Sequence, residues 1–153
     1  MKIEGTHTIQ APRERVFQAL TDPAILQKTI PGCERMEKAG DNKYNATLSA
    51  GVGPIKGTFN AVVSIENMVP PSNYRLVVEG KGQPGFIKGS GDLILEDQSG
   101  ASHIRYTGNV QVGGMLAGVG QRLIESTAKL LAGKFFSALE SELRSSSPQT
   151  GAA

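Results

Sequence analysis

The chain is poor in the residues that staple small proteins. One cysteine, Cys33, in 153 residues excludes an internal disulfide, and no C-x-x-C pair or Cys/His cluster is present to hold structural zinc. Stability must come from a hydrophobic core, and a chain of this length buries roughly two thirds of the surface that its unfolded form exposes. A single thiol also fits a reducing setting, so a cytoplasmic location is expected. A large excess of either charge is lacking as well. Sixteen basic and 14 acidic residues leave a net charge of +2, too little for an electrostatic footprint on nucleic acid. No run of apolar residues reaches the length of a bilayer-spanning helix. The N-terminus enters an alternating pattern, Lys2-Ile3-Glu4-Gly5-Thr6-His7, instead of a basic segment followed by an apolar stretch, so no export signal is expected.

Glycine, by contrast, is abundant at 19 residues. In strands it marks bends, bulges or close backbone approaches. Residues 2–10 alternate with Ile3, Gly5, His7 and Ile9 on one face, the signature of a half-buried strand. Pro12 opens a short helix carrying Val16, Phe17 and Leu20, and Asp22-Pro23 repeats the start signal for a second helix through about Lys28. From residue 33 to Val112 the chain reads as six strands separated by turn residues such as Gly53-Pro54, Pro70-Pro71-Ser72-Asn73 and Gln98-Ser99-Gly100. After Gly113-Gly114 the apolar period changes from two to about 3.6. Leu116, Val119, Leu123, Thr127, Leu130, Leu131, Phe135 and Leu139 then recur on one stripe, which predicts a single helix of roughly 30 residues ending near Leu143.

This order predicts an α+β domain over residues 1–144: a curved seven-stranded antiparallel sheet wrapped around one long C-terminal helix, with two short helices after the first strand. Residues 145–153 are small and polar and are expected to form a disordered tail. The inner face mixes Ala46, Ala50, Ala61, Gly89, Gly91 and Gly108 with larger side chains. Such a face leaves room for a pocket of a few hundred Å3. Its expected lining includes Leu48, Phe59, Val63 and Leu76 from the strands. Met115, Leu116, Val119 and Leu123 are expected to lie over its mouth. The alternative is that these side chains simply fill the space.

Four segments have a more specific likeness: Ala11-Pro12-Arg13-Glu14-Arg15-Val16-Phe17; Asp22-Pro23 leading into Ile30-Pro31-Gly32-Cys33-Glu34; Gly51 through Phe59; and Gly113 through Gly120. Together and in order, the chain resembles the CoxG family of carbon monoxide dehydrogenase accessory proteins, within the helix-grip, START-like (SRPBCC) superfamily, over residues 1 to about 143. The resemblance implies an accessory role beside a molybdenum-containing dehydrogenase, peripheral contact with the inner membrane face, and a cavity for quinones or lipids without a tightly bound cofactor. Many such proteins carry an apolar C-terminal anchor, and none is expected in 145–153. The alternative function is a docking adaptor that recruits the partner enzyme and holds no ligand.

Polar residues on the inner face are few. Tyr44 and Tyr106 each offer an apolar body with one hydrogen bond, the combination a quinone head group needs, and His7 on the inner face offers a neutral imidazole. No carboxylate shares that face with His7, so no acid–base pair is expected. Neither catalytic nor metal-binding residues are assigned. Cys33 lacks a neighbouring histidine in this reading, and His103 falls on the outer face. The Gly51–Gly57 run lacks phosphate-loop spacing and reads as a hairpin turn. Phe86, after Gln83-Pro84-Gly85, is expected to act as a hydrophobic gate or membrane contact.

Overall fold

A computed structural model of the chain describes residues 1–145. Strand β1 (Lys2–Ile9) is followed by helices α1 (Arg13–Leu20) and α2 (Pro23–Thr29). Then come β2 (Cys33–Gly40), β3 (Lys43–Val52), β4 (Ile55–Val69), β5 (Asn73–Gly82), β6 (Gly85–Gln98) and β7 (Ala101–Gly113). The seven strands form one antiparallel sheet in the order β1-β7-β6-β5-β4-β3-β2, so β1 returns to pair with β7. The meander has short hairpins because antiparallel neighbours need no crossover. Gly53 at φ +60 and Gly100 at φ +91 supply left-handed positions in two of the turns.

The inner face carries the core. Ile3 and Ile9 of β1, Tyr44 and Ala46 of β3, Phe59 to Ile65 at alternate positions of β4, and Leu93 and Leu95 of β6 are buried. The outer face is laced with exposed ion pairs such as Arg75–Asp92 at 3.3 Å and Arg105–Glu96 at 3.2 Å. Pairs in that much solvent contribute little to stability. Burial of one face is what fixes the register, because a slip of one residue would turn every core side chain outward. Helix α2 starts as expected, with the Asp22 carboxylate accepting from the Ala24 N–H at 2.9 Å and Pro23 in the first turn.

The C-terminal region departs from the predicted single helix. Gly114–Val119 form a 3-10 turn, Gly120 adopts φ +98, and a 25-residue helix, α3 (Gln121–Ser145), begins only after it. Ser145, predicted to open a tail, closes this helix. Residues 146–153 lie outside the described residues. The break resets the phase of the apolar stripe. Ile124, Phe136, Leu139 and Leu143 are buried, whereas Leu123 is 38 % and Leu130 58 % exposed. Leu116 is fully buried in the 3-10 turn, and its N–H donates to the Pro84 carbonyl at 3.1 Å.

Helix α3 is held at both ends. Near its N-terminus that turn ties it to the β5–β6 hairpin. At its C-terminus the Arg15 guanidinium donates to the Leu143 carbonyl at 2.9 Å, satisfying an acceptor the last turn would otherwise leave open. Lys28–Glu142 at 3.3 Å and the Gln10 N–H donating to Glu140 at 3.3 Å add links to α2 and to the end of β1.

Tyr74 provides a test of the core. Its phenol is buried against the edge of Phe17, with ring centroids 5.6 Å apart, and burial raises its pKa far above the usual value of 10.0. Below the unfolded pKa both states are neutral and the group has no effect on pH dependence. Above it the unfolded chain ionises first, so stability falls by up to about 1.4 kcal/mol per pH unit. Denaturant unfolding of Tyr74→Phe should therefore track the parent up to about pH 9 and lose less stability than the parent above about pH 10. Parallel curves throughout would show that the phenol is not buried.

Candidate functional site

The cavity begins with side chains that are missing. On the inner face of the sheet, Gly91 of β6 sits directly opposite Gly108 of β7, Gly89 is opposite Val110, and Gly5 of β1 is opposite Tyr106. Small residues on α3 answer them. Ala128 and Ala132, four residues apart, lie on one helical face and turn toward this bare floor. Neither surface can reach the other, and an open cleft of about 320 Å3 remains between them. Its walls are Ile3, Leu76, Val78, Ile87, Leu93 and Val110 from the strands and Phe135 and Phe136 from α3.

The glycines are not interchangeable. A Cβ on Gly108 would stand 2.6 Å from the Ser90 carbonyl oxygen, and one on Gly91 would stand 3.1 Å from that of Thr107. At Gly89 a Cβ would meet only Asn109 and Val110 atoms, 3.8 and 3.9 Å away, which is ordinary contact. Close approach of neighbouring backbones thus explains Gly108 and Gly91, whereas Gly89 is explained only by the space above it.

Four rings meet at one end of the cleft. Phe136 is stacked on His7 at 5.4 Å between centroids and on Tyr106 at 5.5 Å, and Phe135 meets its edge at 5.1 Å. The Tyr106 phenol lies over Gly5, where any Cβ would collide with it. Burial raises the pKa of this phenol, so it stays a neutral hydrogen-bonding group across the physiological range. His7 Nε2 is buried without a hydrogen-bond partner, the one such side-chain atom among the described residues. A buried polar atom left without a partner costs about 1–3 kcal/mol.

Of the residues expected to line the pocket, Leu76 and Tyr106 do so, and His7 borders it through Phe136. Tyr44, Phe59 and Val63 share the inner face but are packed into the core outside the cleft, and Leu48 is half-buried against that core. Leu116 is likewise core. Met115, 55 % exposed, and Leu123 stand outside the cleft, and Val119 is half-buried away from it, because the break at Gly120 moves this segment off the helical stripe. Phe86 is one residue out of phase with the inward-facing Ile87 and covers Gly113 beside an outer-face cleft with Val62, Lys81 and Lys88. Sequence reasoning missed Ala128, Ala132 and Phe136. Alanines four apart facing a run of inner-face glycines were the available signal.

The remaining candidates carry no reactive arrangement. The Cys33 thiol is half-buried, donates to the Arg35 carbonyl at 3.4 Å, and has its pKa raised by burial, which disfavours the thiolate. His103 lies on the outer face, 3.2 Å from the Thr8 hydroxyl. No group of three or more metal-ligating side chains occurs among the described residues.

The family model for CoxG, a subunit of carbon monoxide dehydrogenase, matches residues 5–144. The chain belongs to the CoxG family. A conserved protein from Geobacillus kaustophilus superposes with a TM-score of 0.91 at 35 % identity, covering 95 % of this chain and 97 % of that one. The START-like fold of this CoxG-family chain is seen in more distant structures. A START superfamily protein from Mycobacterium smegmatis has a TM-score of 0.70 at 10 % identity, over 94 % of this chain and 97 % of that chain. The Zhui aromatase/cyclase from Streptomyces sp. R1128 has a TM-score of 0.70 at 14 % identity, over 94 % and 93 % of the two chains. No curated protein matches the sequence.

The glycine floor yields a direct comparison. Gly89→Ala should leave the melting temperature of the CoxG-family chain unchanged or raise it slightly, since alanine lowers the entropy of the unfolded chain. Gly108→Ala should destabilise the protein by about 1–3 kcal/mol because the sheet must shift. Equal effects at the two positions in a thermal melt would mean that the floor is not built as described.

Proposed function

We propose that this CoxG-family protein is a noncatalytic carrier that holds an uncharged apolar small molecule, a quinone or a lipid, in the cleft between sheet and helix α3, on behalf of a carbon monoxide dehydrogenase-like enzyme. The observation that carries this reading is the lining: glycine and alanine leave the space open, aliphatic and aromatic side chains wall it, and no charged side chain borders it. A pocket of this volume is at the small end of ligand sites and suits one ring system or a short chain, with the remainder of a longer ligand leaving through the open side.

Magnitudes divide the work between the groups. Each methylene withdrawn from water contributes about 0.8 kcal/mol, so the apolar walls set affinity. One hydrogen bond from the Tyr106 phenol or to His7 Nε2 adds about 1 kcal/mol and mainly sets orientation. A carboxylate or phosphate placed in the cleft would lose its hydration without meeting a cation, which favours neutral ligands. The partner enzyme in this reading comes from the family relationship.

The test is titration with a soluble short-chain quinone and with an uncharged monoacyl lipid. The combined variant Ala128→Leu/Ala132→Leu should fill the cleft and weaken binding at least tenfold without lowering the melting temperature. Tyr106→Phe should weaken it about fivefold, the equivalent of one hydrogen bond. If the parent binds neither probe, or the filled variant binds as well as the parent, the carrier reading is lost. Retention of the partner dehydrogenase by the filled variant would then favour the docking-adaptor role.

A further inference from the structure

The sheet ends at β2, which pairs with β3 alone and leaves its other side open. Within Cys33–Gly40, Met36 is buried and Cys33 half-buried, and the other residues are exposed. Along an antiparallel strand the N–H and C=O of one residue point to the same side, and those of the next residue to the other. The outward set is identified by Gln27 of α2, whose side-chain amide accepts from the Met36 N–H at 3.3 Å and donates to the Glu34 carbonyl at 3.4 Å. Glu34, Met36 and Lys38 therefore present their main chain to the edge. Gln27 is exposed and both of its contacts are long, so it is a stand-in that a neighbouring strand can displace.

Open edges invite pairing with other chains, and proteins commonly guard them with charge. The charges of β2 go further, because their order is self-complementary. The run Glu34-Arg35-Met36-Glu37-Lys38 places an acid and a base on each side of Met36 in the same order. Laid antiparallel on a second copy about a two-fold axis through Met36, it sets Glu34 opposite the second copy's Lys38 and Arg35 opposite its Glu37, and the symmetry doubles both pairs. Moving the axis to any other residue of the run brings like charges together on it: Arg35 on Arg35, Glu37 on Glu37, Glu34 on Glu34 or Lys38 on Lys38. An axis between two residues sets outward main-chain groups against inward ones and forms no ladder. Within one chain Arg35 has an exposed partner, Glu37 at 3.5 Å, while Glu34 and Lys38 join no ion pair among the described residues.

From this we infer that β2 is a self-association edge: two copies of the chain pair antiparallel through β2 in the register centred on Met36, joining their sheets into one. Met36 then bonds main chain to main chain with its counterpart, Gln27 releases the edge, and opposite-charge pairs flank the axis on both sides. One strand pair buries less than a standard interface, so the dimer is of the weak, concentration-dependent class. No β2 residue borders the cleft, so this inference does not rest on the carrier reading and fails separately from it.

Sedimentation of the full chain over a wide range of concentration tests it. The parent should pass from monomer to dimer as concentration rises. Arg35→Glu sets acid against acid at both symmetric pairs and Glu37→Arg sets base against base, so each variant alone should lose roughly tenfold or more in dimer affinity. An equimolar mixture of the two should recover the parent's affinity as a heterodimer, and the double reversal Arg35→Glu/Glu37→Arg should recover it as a homodimer. Lys81→Glu, exposed on β5, should leave association unchanged. All three positions are exposed, so a melting temperature equal to the parent's confirms that each variant is folded. A parent that stays monomeric throughout, single reversals that associate like the parent, or a mixture that stays monomeric would each overturn the inference.

Discussion

The cleft depends on a contact that cannot be made: the middle of the sheet lacks the side chains that would reach helix α3. Gly91 and Gly108 face one another across β6 and β7 with backbone so close that Gly108 has no room for a Cβ against the Ser90 carbonyl. Ala128 and Ala132 on the helix offer only methyl groups in return. A core of ordinary residues at this spot would close by packing, as protein interiors do. Here both surfaces stop short, leaving an open space walled mainly by aliphatic and aromatic side chains.

Such a void survives only if the helix cannot fall into it. Helix α3 is propped at each end, by Leu116 and the Pro84 carbonyl on one side and by Arg15, Lys28 and Gln10 on the other. Between these props, Phe136 fills the rim through its contacts with His7 and Tyr106, while Phe135 packs beside it. The polar atoms of the site belong to this rim. In the carrier reading proposed above, one orphaned imidazole nitrogen and one neutral phenol at the edge of an apolar space would orient a ligand by a single bond, with affinity coming from burial.

Most of the fold was legible in the sequence because the sheet is antiparallel and buried on one face, so its strands alternate cleanly. Ile3, Gly5, His7 and Ile9 fall on one side of β1 as their spacing predicts, and Asp22-Pro23 starts α2. The 3-10 turn was not legible, since Leu116 and Val119 are three apart and fit a helical stripe equally well. Gly118 and Gly120 mark the interruption instead. The cleft was legible as small residues on the inner face but not as a lining. Large side chains such as Phe59 and Val63 attract attention, yet they lie in the packed part of that face. The site is defined by glycine and alanine, whose function here is to leave room.

The measurement closest to the central claim is native mass spectrometry of the full chain purified from its own host, paired with organic extraction of the same preparation. A carrier with this cleft should arrive with an added neutral mass in the range of a quinone or lipid, and the extract should contain that molecule. A chain that arrives bare, and takes up no neutral apolar compound when its host's membrane extract is added, would contradict the account.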